Sequence, residues 1–97
     1  MYYVYILKSK KDSMNYIGST NDLRKRFNLH NDGKVFSTRL RVPFDLVYYE
    51  AYKSRQDAMK RERMLKQYGS SLGHLKERIT KSLDLKYRKG GEWQTGA

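Results

Sequence analysis

The sequence contains no cysteine, one proline and far fewer acidic than basic residues. Without cysteine, disulfide bonds, thiolate zinc sites and cysteine nucleophiles are excluded, so a metal ion must be held by oxygen atoms or by the two histidines. Oxygen ligands favour a hard divalent ion, Mg²⁺ or Mn²⁺. No apolar run approaches the roughly 20 residues that span a bilayer, and the N-terminus lacks the pattern of a signal peptide. We therefore expect a cytoplasmic protein without a membrane partner, associated with the nucleoid if its source is bacterial.

The chain has an excess of positive charge. Lysine and arginine number 21 against 10 aspartate and glutamate residues, which gives a formal net charge of +11. Such an excess favours a polyanionic partner, nucleic acid first and an anionic membrane surface second. The alternative interpretation is a basic protein that binds neither of these partners, because the charge alone does not distinguish the two. We predict nucleic acid as the partner of a monomeric protein.

The length and the composition of the two ends predict the domain organisation. A chain of 97 residues has room for one domain, and we predict that domain over residues 1–85. Residues 86–97 are basic and glycine-rich, which predicts a flexible tail. Trp93 in this tail either docks on the domain or is exposed.

Two short strands are predicted at the start of the chain. Residues 1–7 are apolar on both alternating faces, which is typical of a central strand that is covered on both sides. Residues 8–15 have the polarity and length of a hairpin loop, and residues 14–18 return as the antiparallel partner.

This hairpin is expected to bring Tyr5 near Tyr16. Because Gly18 has no side chain to cover a neighbouring ring, we expect a phenol on the open floor of a cleft. A helix follows over about residues 21–31, for which Thr20 or Asn21 can supply the cap.

A basic loop and a third strand follow this helix. Residues 33–43 are irregular and contain Lys34, Arg39 and Arg41, which predicts a phosphate-contacting loop. A solvated connection is the alternative interpretation. Residues 44–52 are rich in aromatic side chains and are predicted to form the third strand.

The second half of the chain predicts two helices. Ser54 is the cap of the first, and Gly69 is expected to terminate it. Ser70 or Ser71 is expected to cap the last helix. The residues predicted to face inward on that helix are Leu72, Leu75, Ile79 and Leu83.

Glu62 lies inside an apolar stripe on the helix that Ser54 begins. A carboxylate in such a stripe must be paired, metal-bound or at the edge of a cleft. We predict a metal ligand, with an ion pair to Arg61 or Arg63 as the alternative. The stripe itself consists of Ala58, Leu65 and Tyr68.

Four sequence patterns occur in order along the chain: Y-V-Y at residues 3–5, Y-I-G-x-T-x-D-L-x-x-R-x-x-x-H at 16–30, L-V-Y-Y-E at 46–50 and A-x-x-x-E at 58–62. Together they resemble the GIY-YIG nuclease superfamily, and in particular a small free-standing member similar to the nuclease domain of the bacterial excision-repair C subunit. The first pattern departs from the family name, because Tyr3 stands where the name has glycine. The resemblance implies an α/β (α+β) fold, with a three-stranded antiparallel sheet flanked by three helices.

The resemblance also implies phosphodiester hydrolysis, which needs a base, a cation on the phosphate and a metal ion. Tyr5 or Tyr16 would act as the base or orient the water, as a phenolate favoured by the metal and a nearby arginine. Arg26 would bind phosphate, although a surface arginine is the default at such a position. His30 shares a helix face with Arg26 and would assist proton transfer or bind phosphate, unless a carbonyl satisfies it.

The resemblance makes Glu62 the ligand of Mg²⁺ or Mn²⁺. It further implies an asparagine after Glu62, and Ser70, Ser71 or His74 stands in that region instead. The residues expected to contact nucleic acid are Arg24, Lys25, Lys34, Arg39 and Arg41.

The leading functional prediction is a metal-dependent endonuclease that acts on DNA, in repair or recombination. The first alternative is a nucleic-acid-binding module that keeps the fold and cleaves poorly. The second is a protein-interaction module whose aromatic surface docks a repair factor.

Overall fold

A computed structural model describes residues 1–85. Three antiparallel strands form one sheet in the order β2-β1-β3, and three helices pack around it. The predicted α+β architecture is therefore confirmed. The predicted tail over residues 86–97, with Trp93, lies outside the described residues. The elements are β1 Tyr2–Ser9, β2 Asn15–Thr20, α1 Leu23–Asn31, β3 Phe44–Tyr52, α2 Arg55–Gln67 and α3 Gly69–Arg78.

Strand β1 is the centre of the fold. Its side chains alternate between two apolar clusters, because successive residues of a strand point to opposite faces of the sheet. Val4 and Ile6 pack on one face, while Tyr5 and Leu7 pack on the other, and all four are buried. The prediction of a central strand covered on both sides is confirmed. The buried residues that join Val4 and Ile6 are Val47, Ala58, Leu65 and Leu75, and those that join Tyr5 and Leu7 are Leu23 and Phe44.

The β1–β2 hairpin is longer than predicted, and its loop is shorter. Pairing continues to Ser9, whose amide donates to the carbonyl of Met14 at 3.0 Å. The Ser9 hydroxyl accepts from the amides of Lys11 and Asp12 and donates to the carbonyl of Arg41. The buried side chain of Ser9 therefore provides hydrogen-bond partners for the backbone amides of the turn. Only residues 10–14 lie between the two strands.

The N-cap of helix α1 lies one residue after the second of the two predicted caps. Its N-cap is Asp22, whose Oδ1 accepts from the Lys25 amide at 3.1 Å, so the prediction of Thr20 or Asn21 is wrong. Thr20 instead accepts from the amide of Asp22 through its hydroxyl. The helix ends at Asn31, and Gly33 follows with a φ of +72°, a conformation that glycine adopts without a steric penalty.

Helices α2 and α3 are separated by Tyr68 rather than by a glycine. Ser54 caps α2 as predicted, but Tyr68 has an extended backbone that breaks the helix, and Gly69 is already the first residue of α3. The predicted caps Ser70 and Ser71 therefore lie in the first turn of α3, which has no side-chain cap.

The apolar stripe of α2 is shorter than predicted, because Tyr68 is 57% exposed, while Ala58 and Leu65 are buried. On α3, Leu75 is buried and Leu72 packs beside it, as predicted. Ile79 and Leu83 pack against the same cluster, but the prediction that they lie on this helix is wrong, because α3 ends at Arg78. Within residues 1–85, no helix is long and apolar enough to cross a membrane.

Candidate active site

Tyr5 and Gly18 face each other across the β1–β2 hairpin. A Cβ atom on residue 18 would lie 2.5 Å from the Tyr5 hydroxyl oxygen and 3.1 Å from Cε2 of Tyr16. Real Cβ contacts are not this short, so glycine is required here for the close approach of the ring. The glycine leaves no open space on the Tyr5 side, because the Tyr5 ring fills it and is only 1% exposed, whereas Tyr16 is half-buried.

The Tyr5 hydroxyl lies 2.9 Å from Nε2 of His30, which α1 supplies from its last turn. His30 is completely buried, and its Nδ1 lies 2.7 Å from the hydroxyl of Thr38. The rings of Tyr16 and Phe44 pack edge-on against the imidazole, with centroids at 5.1 and 6.0 Å. Both nitrogens of His30 therefore have hydroxyl partners rather than a carbonyl partner.

Burial sets the protonation states of this pair. Burial raises the pKa of Tyr5 to about 12, although the nearby Arg26 guanidinium acts in the opposite direction. Burial and the positive charge of Arg26 lower the pKa of His30 to about 4. Near pH 7 the pair is a phenol and a neutral imidazole. The Arg26 guanidinium acts in the direction expected, toward a phenolate, but burial has the larger effect on the pKa of Tyr5.

The neutral imidazole has one donor nitrogen and one acceptor nitrogen. We assign the Thr38 hydroxyl as a donor to the carbonyl of Val35, 3.5 Å away, and as the acceptor from Nδ1–H of His30. Nε2 is then the acceptor for the Tyr5 hydroxyl. A single chain of hydrogen bonds thus runs from Tyr5 through His30 to Thr38.

Arg26 projects from α1 toward this chain. Its guanidinium approaches the Tyr5 hydroxyl closely enough to lower the pKa of Tyr5, and its charge also lowers the pKa of His30. The adjacent Arg24 and Lys25 are exposed, whereas Arg26 is half-buried. The structure therefore distinguishes Arg26 from its cationic neighbours by its position beside Tyr5.

Glu62 approaches the same site from α2. The Ser19 hydroxyl donates to Oε1 at 2.6 Å, and Nζ of Lys66 lies 2.6 Å from Oε2. Its negative charge contributes to the raised pKa of Tyr5, which places the carboxylate within electrostatic range of the phenol. The alternative partners Arg61 and Arg63 are wrong, because Lys66 is the cation that pairs with Glu62.

A metal ion at this position would have one protein carboxylate. Among residues 1–85, no three histidine, cysteine, aspartate or glutamate side chains are grouped so that they could hold a metal. Mg²⁺ accepts such a sparse site, because it keeps several waters and binds one or two carboxylates together with phosphate oxygens. The donor chemistry of Glu62, a partly exposed carboxylate beside the Ser19 hydroxyl, fits a hard divalent ion. The polar residues at the place of the family asparagine lie on α3, where Ser70 and His74 are exposed and Ser71 is half-buried.

The cations of the loop after α1 differ in their surroundings. Lys34 and Arg39 are exposed, and the Arg39 guanidinium lies 4.9 Å from the centre of the exposed Phe36 ring. Arg41 is held by Asp12, with 2.7 Å between Nε and Oδ2, and it also donates to the Met14 carbonyl. Arg41 therefore ties this loop to the β1–β2 hairpin.

Sequence reasoning missed a second carboxylate cluster, which lies on β3. Arg61 makes a bidentate contact with Glu50, and the hydroxyls of Tyr48 and Tyr52 both donate to the same carboxylate. The i, i+2, i+4 spacing of these β3 residues places them on one face of the sheet and was the available signal. Thr38 and Ser19 were also missed, because only the fold brings them to His30 and Glu62.

The chain matches known proteins over most of the region that forms this site. Residues 1–77 match the family model described as the GIY-YIG catalytic domain. A UPF0213 protein of Streptococcus agalactiae is 44% identical over 66 residues, covering 67% of this chain and 74% of the relative. A UPF0213 protein of Clostridium perfringens is 46% identical over 67 residues, covering 68% of this chain and 71% of the relative.

A solved structure agrees with these matches. The solution NMR structure of a UPF0213 protein from Bacillus halodurans superposes with a TM-score of 0.51 at 35% identity, covering 81% of this chain and 87% of that one. The extent of the family match, residues 1–77, includes all the strands and nearly all of the three helices of this fold. The chain belongs to the GIY-YIG catalytic domain family.

Proposed function

We propose that this protein is a metal-dependent endonuclease that hydrolyses phosphodiester bonds in DNA, in repair or recombination. The observation that carries the proposal is the convergence of the five predicted residues. Tyr5, Tyr16 and His30 pack against one another, while the charges of Arg26 and Glu62 both act on Tyr5. A phenol, an imidazole, a guanidinium and a carboxylate supply the groups that phosphodiester hydrolysis needs.

Tyr5 and His30 form the proton relay in this proposal. The Tyr5 oxygen accepts a proton from the attacking water as its own proton moves along the 2.9 Å hydrogen bond to Nε2 of His30. A free phenolate, which the pKa of about 12 makes rare at pH 7, does not have to accumulate. Tyr16 is the less buried of the two phenols and borders a groove, so it orients the water and the phosphate.

Arg26 and Glu62 act on different oxygen atoms of the phosphate, Arg26 directly and Glu62 through the divalent ion that it would hold. The fixed positive charge of Arg26 binds the non-bridging phosphate oxygens, for which its forked donors are suited. Glu62 would hold the divalent ion, which when bound stabilises charge on the leaving oxygen. The cations that would contact the flanking phosphates are Arg24, Lys25, Lys34, Arg39 and Arg41.

The binding module with weak cleavage remains the second candidate function. It is favoured by the pKa of about 4 for His30, which makes the imidazole a weak proton acceptor, and by the absence of the family asparagine. The protein-interaction module is favoured by the exposed side chains of Phe36 and Leu40.

A panel of labelled substrates distinguishes these functions. Duplex, branched and single-stranded DNA and single-stranded RNA would each be incubated with the protein in Mg²⁺, in Mn²⁺ and in chelator. We expect cleavage of at least one DNA in metal and none in chelator. Salt-dependent binding without cleavage would support the binding module, since phosphate contacts release counterions. A lack of both at low salt would leave the protein-interaction module.

A further inference from the structure

The Glu62–Lys66 ion pair lies on α2 at i, i+4 spacing. The Lys66 side chain is 47% exposed and that of Glu62 is 21% exposed. Ion pairs this exposed add little to the stability of a helix. The position of this pair, beside the candidate active site, therefore matters more than its contribution to stability. The carboxylate belongs to the candidate active site, and the lysine side chain is the more exposed of the two.

Lys66 also lines a groove of about 520 Å³ between β2 and the two C-terminal helices. Tyr16 lies in the same groove, as does Lys76 of α3. None of the described residues that line the groove is acidic. A groove that carries two ammonium groups and no acidic residue among its described lining suits a phosphate backbone.

We propose that Lys66 is a phosphate-binding residue that Glu62 holds until a cation occupies the carboxylate. An ammonium group on a flexible stem makes its strongest contact with one anion at a time. A divalent ion at Glu62 displaces Lys66 from Oε2, and the released ammonium then binds a phosphate of the strand that lies in the groove. This inference rests on the proposed function, because it requires a nucleic-acid strand and a cation at Glu62.

Lys60 and Lys76 provide matched controls. Lys60 is exposed on α2 and lies six positions before Lys66, which is about 240° around the helix. Replacing it with Met makes the same change in net charge away from the groove. Lys76 lines the groove but has no acidic partner in the ion pairs of residues 1–85.

The test is a set of double-mutant cycles for binding to labelled DNA at low salt, in chelator. With Glu62 present, Lys66→Met should weaken binding no more than Lys60→Met. In the Glu62→Gln background, where the carboxylate no longer holds the ammonium, Lys66→Met should weaken binding about fivefold more than Lys60→Met. Lys76→Met should have the same effect in both backgrounds. Ca²⁺ is a hard divalent ion that binds carboxylates. When Ca²⁺ is added to protein with intact Glu62, Lys66→Met should again weaken DNA binding more than Lys60→Met does.

Additive effects of Lys66→Met and Glu62→Gln would overturn the proposal and make Lys66 an ordinary surface cation. A Ca²⁺ addition without effect on the Lys66→Met difference would overturn release by a cation. If the protein cleaves DNA while the cycle is additive, only this inference fails. If the protein binds no nucleic acid, the proposed function fails and this inference fails with it.

Discussion

The hydroxyl of Tyr5 lies 2.9 Å from Nε2 of His30, and both side chains are buried. Residues 25 positions apart in the sequence thus form one hydrogen-bonded unit between the central strand and α1. Burial keeps the phenol protonated and the imidazole neutral. The same contact contributes to the packing of the fold and to the proposed proton relay, so substitutions here must be measured for both.

Replacing Tyr5 with Phe should separate these two contributions. The ring remains, but Nε2 of His30 loses its donor, so we expect about 1–2 kcal/mol less stability. Cleavage should fall by roughly two orders of magnitude or more because the relay has lost its oxygen. Tyr16→Phe should also reduce cleavage. Tyr49→Phe is the control, since Tyr49 is exposed on β3. Unchanged turnover in both site variants, measured beside thermal melts, would remove the tyrosines from the mechanism.

Two glycine substitutions should change the stability of the protein in opposite directions. Gly18→Ala places a Cβ 2.5 Å from the Tyr5 hydroxyl oxygen, so the ring must move and stability should fall by about 1–3 kcal/mol. Gly73 lies inside α3, and a Cβ there meets nothing within 4 Å. Gly73→Ala should therefore raise stability by about 0.5–1 kcal/mol. Denaturant melts of the two variants check this pair, and equal stability of Gly18→Ala and wild type would contradict the close packing at Tyr5.

The depressed pKa of His30 predicts a loss of stability on mild acidification. The folded protein holds the pKa at about 4, below the ordinary value of 6.5, so the unfolded chain binds the proton more readily between these values. The stabilisation is complete above pH 6.5 and is lost as the pH falls toward 4, by an amount on the order of 3 kcal/mol. Urea melts at pH 7 and 5 measure the slope. His30→Gln should remove most of the slope, whereas His74→Gln on the exposed side of α3 should retain it. Retention of the full slope in His30→Gln would contradict this assignment.

Glu62→Gln should abolish cleavage and leave the fold intact. The amide can still accept from Ser19, and the ion pair that is lost is partly exposed and local to one helix, worth only about 0.3–0.5 kcal/mol. Metal-dependent cleavage should disappear because an amide cannot supply the charge that holds the ion. DNA binding should persist or strengthen, since a negative charge has been removed. Cleavage retained by a destabilised Glu62→Gln protein would reject the metal-ligand assignment.

Glu50→Gln is the matched control for Glu62→Gln, because it should lower stability and leave cleavage intact. Its carboxylate is largely buried and accepts from Arg61 and two tyrosines, which hold the pKa of Glu50 below its usual range despite burial. Removing the charge leaves Arg61 without its partner, so stability should fall by about 3 kcal/mol. Cleavage by the folded fraction should remain, because Glu50 contacts none of the proposed catalytic residues in the cluster described above. A stable Glu50→Gln protein would show that this ion pair does not anchor α2 to β3.

The sequence predicted those parts of the fold that depend on local pattern. The bounds of β3, the central position of β1 and the closeness of Tyr5 to Tyr16 follow from alternation and from hairpin pairing, and all three are confirmed. The cap of α1 was missed because three successive residues at its start are good caps, and only the backbone geometry selects Asp22.

The parts that could not be predicted depend on distant contacts. Arg61 was a candidate partner of Glu62 because the two are adjacent, but Glu50 of β3 binds it instead, and no local pattern records that pairing. The protonation states of Tyr5 and His30 follow from their burial, which only the packed structure provides. The structure shows that the five site residues lie close together. Their catalytic roles stay predictions that cleavage assays of the variants test.

A time course of cleavage of end-labelled DNA in Mg²⁺, by wild type, Glu62→Gln and Glu50→Gln side by side, tests the proposed nuclease site most directly. We predict that wild type and the folded fraction of Glu50→Gln produce fragments, that Glu62→Gln produces none, and that chelator stops all cleavage. Fragments from Glu62→Gln at the wild-type rate, or from wild type in chelator, would contradict a metal-dependent site at Tyr5, Arg26, His30 and Glu62.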